Sequence, residues 1–181
     1  MSHHGLDLQR KLAGMRRLFD QSFAMPVAVE SVATERLLAF EATGEKLAAH
    51  VRDINEIMPV RGKILPVPSS VPELLGILGI RGVVVPVYKL AVLLGMGADA
   101  KPPAWLALCG GEQAPIALAF DSLEGYVEVS SAGIYSSDAN AAPRYVNETA
   151  RVDAVLRGII NIPAVVKHIR AQGTGAPSSW E

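Results

Sequence analysis

The stretch from Leu74 to Ala98 constrains this chain more than any other. It is almost continuously apolar, yet Arg81, Pro86 and Lys89 fall inside it and glycine recurs at positions 76, 79, 82 and 95. A charge at the centre of a membrane-spanning helix costs ~2.5–3.5 kcal/mol, and proline breaks the helix. The segment is therefore read as buried strands and a short helix, with no direct insertion into a membrane. Ile77–Ile80 and Val83–Tyr88 are two short apolar runs separated by Arg81-Gly82, the pattern of a tight hairpin. The run Val83-Val84-Val85 suggests a strand buried on both faces. Pro86 cannot donate to a ladder, so this strand needs a free edge or a bulge there.

The rest of the chain is read outward from that hairpin. Leu38–Thr43, a turn at Gly44-Glu45 and Lys46–Val51 form a second hairpin. Pro59, Pro66, Pro68 and Pro72 exclude a long helix, though Ser69–Gly76 has room for one helical turn. Lys89–Leu94 is a short helix stopped by Gly95. Ala104–Leu108, Ala114–Phe120, Glu124–Val129, Tyr145–Val152 and Gly158–Ile162 are further strands, and Ser130–Pro143 is a polar loop expected to be mobile. Pro163 opens a terminal helix whose apolar face is Ile162, Val166 and Ile169. Leu8, Leu12, Met15 and Phe19 place an N-terminal helix over about Leu6–Phe23, packed on its own domain or docked on a partner. The expected organisation is an N-terminal extension over 1–26, one domain over 27–173 and a disordered tail over 174–181.

A weak internal repeat runs through this pattern. Leu38–Glu45 resembles Leu106–Glu112, and each is followed by an apolar strand and then Asp-x-x-Glu, at Asp53–Glu56 and Asp121–Glu124. Later in each half an apolar strand feeds a short helix. The pattern is read as two similar β units side by side, with chance similarity as the alternative because the identities are few.

Charge and composition narrow the function. With 17 basic and 18 acidic residues, no basic field exists to attract nucleic acid. The single cysteine forbids an internal disulfide and points to a reducing, cytoplasmic setting. The first residues lack the apolar core of a secretory signal. His3 and His4 lie at the chain end and His50 and His168 stand alone, so no metal site is expected. The string Gly95-x-Gly97-x-x-Ala100 follows a helix and precedes Pro102-Pro103, the wrong setting for a dinucleotide loop, and no cofactor is expected. Cys109, Asp121 and Glu124 are the candidates for catalysis; the thiol has no evident base beside it, and carboxylates at a β-turn are usually satisfied by local backbone donors. What remains is a polar spot in apolar surroundings: Arg81 between two apolar strands, with Glu56 as its candidate partner. A half-buried arginine needs an anion. The pair either holds the fold or borders a partner groove.

The segments Val51–Ile57, Pro66-Val67-Pro68 and Leu75–Leu90 resemble the CheW family of chemotaxis coupling proteins. The most specific part is the Gly-Ile-x-x-x-Arg-Gly-x-Val-x-Pro-Val-x-x-Leu core, and Leu123-Glu124-Gly125-Tyr126-Val127-Glu128-Val129 is similar too. The similarity runs from about Leu37 to Ile169. It implies an all-β fold with short helices, in which two five-stranded SH3-like barrels surround a shared core. It further implies a non-catalytic adaptor joining chemoreceptor cytoplasmic tips to a CheA-type histidine kinase. Glu56 and Arg81 match the family's motif glutamate and arginine, and Ile80, Val83 and Val85 are placed nearest the groove. Departures are local: Lys89 stands where an aspartate is usual, Gly79 replaces an asparagine, and Asn161-Ile162-Pro163 ends the last strand where Leu-Asp is common.

Overall fold

A computed structural model describes residues 33–97, 101–111, 113–137 and 142–173; the expected N-terminal helix and the tail lie outside them. The compact unit that begins at Ala33 contains eleven strands in two sheets. The strands are β1 (Thr34–Ala42), β2 (Glu45–His50), β3 (Glu56–Pro59), β4 (Leu74–Ile80), β5 (Val83–Lys89), β6 (Trp105–Cys109), β7 (Ile116–Phe120), β8 (Ser122–Ser130), β9 (Ile134–Ser136), β10 (Val146–Val152) and β11 (Val155–Ile160). Two helices follow the β5 and β11 strands: α1 (Leu90–Leu93) and α2 (Ile162–Gly173). The first sheet has the order β8-β1-β2-β11-β10-β9 and the second β3-β6-β7-β5-β4.

The internal repeat explains this order. Chain order gives two copies of one unit, β1–β5 with α1 and β6–β11 with α2. Neither copy closes a sheet of its own. The first sheet combines β1 and β2 with β8–β11, and the second combines β6 and β7 with β3–β5. Each sheet is sealed by one parallel seam between the copies: Ile159 beside Ala48 in the first, Val87 beside Ala117 in the second. All other pairings are antiparallel. The crossing is abrupt, since β7 passes into β8 through Asp121 alone. That aspartate accepts a 2.6 Å hydrogen bond from the Thr43 amide and so caps the β1–β2 turn of the other copy.

Period-two alternation sends successive side chains to opposite faces, and here both faces are buried. Leu37, Ala48, Ala150 and Ile159 cluster with Val127, Val129 and Ile134, all from the first sheet. Leu78, Ile80, Val85, Val87, Leu106 and Leu108 cluster with Met58, all from the second. A sheet gathers residues from both of its edges only by curling on itself. The alternate residues, among them Leu38, Phe40, Leu118 and Ile160, join α1 and α2 in a third core shared by the two halves. The α2 helix is capped by the Asn161 side chain, which accepts from the Ala164 amide at 3.0 Å. It buries Ile162, Val166 and Ile169 as expected, with Val165 besides.

Three local expectations need correction. Val83 and Val84 are 50% and 66% exposed, and only Val85 of that run is buried; they lie where the β4–β5 hairpin projects beyond its neighbour, since pairing with β7 starts only at Val87. That late start also leaves Pro86 the free edge it requires. The region Ser69–Gly76 holds no helix, because β4 already begins at Leu74. Leu65 bridges to Ile77 and presses its carbonyl onto Gly76, where a Cβ would stand 2.1 Å from the Leu65 oxygen. Finally, the described part of Ser130–Pro143 holds a single 3-10 turn and β9, which gives the first sheet a sixth strand.

Because each sheet draws on both copies, cutting the chain within residues 98–100 leaves two fragments without a complete sheet. Each fragment alone is expected to show little β-sheet circular dichroism. The equimolar mixture is expected to recover the spectrum and a cooperative melt.

Candidate functional site

The β4–β5 turn places Arg81 and Gly82 in the left-handed region, with φ of 51° and 81°, the twist a two-residue hairpin requires. The Arg81 side chain thereby swings across the end of the second sheet. Its Nη2 donates to Glu56 Oε1 at 2.7 Å. Glu56 opens β3 opposite Leu108 of β6, and the preceding Asn55 accepts from the Gly111 amide at 3.3 Å. Between these elements lies a cleft of about 390 Å³. Ile80, Val85 and Leu108 form its floor, Val83 its wall, and Asn55, Glu56 and Arg81 its polar rim.

The structure therefore gathers Glu56, Ile80, Arg81, Val83 and Val85 at a single place. Ile80 and Val85 are buried. The expectation of a half-buried arginine is corrected: the Arg81 side chain is 75% exposed and that of Glu56 28%. The turn that positions the guanidinium also holds it in solvent. An exposed pair of this kind contributes ~0–1 kcal/mol to stability, so its significance lies at the surface. Asn55, Leu108, Gly111 and Pro115 complete the cleft without having been anticipated. The β6–β7 turn that brings Gly111 and Pro115 is legible only as a turn, and nothing local tells which strand end it faces.

A second pair was not foreseen. Glu124 stands in β8 where the repeat places the counterpart of Glu56. It accepts from Arg157 of β11 through both oxygens, at 3.2 and 2.5 Å. The Arg157 side chain is only 4% exposed. Lys46 Nζ lies 3.9 Å from the same carboxylate. The bonds from Arg157 hold the Glu124 carboxyl below the usual carboxylate range, against the opposing effect of burial.

The three candidates for catalysis occupy structural positions, Glu124 in its pair with Arg157. Cys109 is fully buried, and burial, with Asp53 as the lesser cause, pushes its thiol up to about 12. Such a thiol stays protonated at neutral pH and is a poor nucleophile. Asp121 is engaged by the Thr43 amide. Among the described residues no group of three His, Cys, Asp or Glu could hold a metal, and no helix is long and apolar enough to cross a membrane.

Two interlocked, curled sheets with an apolar-floored cleft and an ionic rim define a double-unit β scaffold. The CheW-like domain family matches residues 36–170, and the chain belongs to it. The scaffolding protein TtCheW from Thermoanaerobacter tengcongensis shares the fold: its crystal structure matches with a TM-score of 0.64 over 71% of this chain and 90% of that one, at 18% identity. No curated protein matches the chain.

The two glutamates should respond differently to truncation. Glu124→Ala strands a buried guanidinium and is expected to cost ~2–3 kcal/mol in urea unfolding; Glu56→Ala is expected to cost under ~1 kcal/mol. The pH dependence follows from the sign of the Glu124 shift. A folded carboxyl below its unfolded value means that the unfolded chain binds more protons, so its contribution is complete above about pH 4.3 and is lost on acidification. Wild type is therefore expected to lose stability below about pH 4 more steeply than Glu124→Gln.

Proposed function

We propose that the protein is a non-catalytic adaptor of chemosensory signalling. In this reading it joins the cytoplasmic tips of chemoreceptors to the regulatory domain of a CheA-type histidine kinase and acts in the cytoplasm. The observation that carries the proposal is the cleft, in a CheW-like domain, that collects Glu56, Ile80, Arg81, Val83 and Val85. An apolar floor beside the exposed Val83 and Val84 suits the anchor residue of a protein partner, because burying such groups drives association. The exposed Arg81–Glu56 pair at the rim can exchange its bonds for charges on the partner, which governs orientation and specificity more than raw affinity.

A rival reading is a regulator of the same family that binds only one of the two partners, with Lys89 or the N-terminal extension blocking the other. The burial of Lys89, 8% exposed at the end of β5, favours the two-partner reading, since its charge is not presented to a docking protein. An enzyme using Cys109 or Asp121 finds no support in the buried thiol or the engaged carboxylate.

Calorimetric titration of the full chain with each partner separately tests the proposal. Saturable binding to both is expected. Arg81→Ala should weaken one of them ~10-fold or more while changing unfolding stability by less than ~1 kcal/mol. Binding to a single partner would establish the regulator instead, and binding to neither would refute the adaptor role.

A further inference from the structure

Two equivalent halves ought to present two equivalent clefts. The counterpart of the cleft in the first sheet can be located residue by residue. Both hairpins turn through two left-handed residues, Arg81-Gly82 in one and Asp153-Ala154 in the other. Counting from the first residue after each turn, Val85 and Arg157 hold the same place. Both point to the inner face of their curled sheet: Val85 belongs to the inner cluster of the second sheet, and Arg157 stands two residues before Ile159 of the inner cluster of the first. The glutamates correspond as well, Glu56 at the start of β3 and Glu124 in β8. In the second sheet the small valine leaves the end of the sheet open, and Glu56 turns to the exposed Arg81. In the first, the buried guanidinium spans the same space and is held by both oxygens of Glu124.

We infer that Arg157 is the residue that makes docking one-sided: with Glu124 it fills in the first sheet the cleft that Val85 leaves open in the second. The inference rests on reading that cleft as the docking site. An adaptor with two equal clefts would hold one partner in two orientations; one filled cleft removes the second. A single side chain thus sets the polarity of a nearly two-fold molecule.

The exchange of these two residues is the test. Titration of the full chain with the uncharged dye Nile red, whose apolar rings suit either cleft whatever the charge at its rim, should give one saturable site in wild type. Arg157→Val should give two sites, and Val85→Arg none, with cooperative melting retained in all three. Arg157→Val leaves the Glu124 carboxylate without its partner, whereas replacing the whole pair by apolar groups is often neutral or stabilising. If Arg157→Val does not fold, the double variant Glu124→Leu with Arg157→Val takes its place, and Val85→Arg tests the second sheet by itself. A folded Arg157→Val protein with one dye site, a folded Val85→Arg protein that keeps its site, or a wild type that binds no dye would each overturn the inference. Titration of Val85→Arg with the kinase domain and, separately, with the receptor tip separates the two ideas. Loss of the dye with kinase and receptor affinities both unchanged would leave Arg157 as the plug and refute the cleft as the docking site.

Discussion

The parallel seams between β2 and β11 and between β5 and β7 hold the molecule together. Antiparallel hairpins form from neighbouring sequence, but a parallel pair needs a long crossover. Here the two strands of each parallel pair come from different copies, and the intervening elements, α1 and β6 at one seam and β3–β10 at the other, form the crossover. Ala48 and Ala49 at one seam and Ala117 and Ala119 at the other are small enough to let strands meet where the sheet curls. Once both seams are made, the alternating residues of β1, β2, β6 and β7 have a sheet interior on one face and the shared core on the other. The apolar character of Leu37–Phe40 and Ile116–Phe120, with no polar side, is the consequence.

The site depends on this arrangement. Its floor comes from β4, β5 and β6, and its rim from the turn before β3, the β4–β5 turn and the β6–β7 turn. Those segments belong to both copies of the repeat, so the cleft exists only because the copies exchange strands. Arg170 of α2 reinforces the same boundary by donating to the Gly110 carbonyl at 2.5 Å, which ties the last helix to the turn lining the cleft.

The two ion pairs show how environment, not residue type, decides what a charge does. Arg81 sits in a turn and keeps most of its water, so it adds little to stability and is free to meet a partner. Arg157 sits in a strand and has given up its water, so it requires its carboxylate. Reading Arg81 as half-buried failed because apolar neighbours in sequence were taken as neighbours in space. In a hairpin the turn residue leaves the apolar surface that its flanking strands enter. The same reasoning failed for Val83 and Val84, whose strand outruns its neighbour. Arg157, flanked by Leu156 and Gly158, carries no local mark of burial.

The sequence alone determined the strand-rich architecture, the hairpin at Arg81-Gly82, the tandem repeat and the candidate pairing of Glu56 with Arg81, and the family resemblance pointed to five of the nine residues that line the cleft. Each of these follows from local periodicity, from turn chemistry or from a motif spanning neighbouring segments. Only the tertiary structure decided that the copies exchange strands, that a sixth strand edges the first sheet, and that one of two equivalent sheet ends is open. Those outcomes depend on contacts between residues distant in the chain, such as Glu124 with Arg157 and Asn55 with Gly111. Such pairs leave no period and no spacing to read, because the energy that selects them appears only when the sheets close.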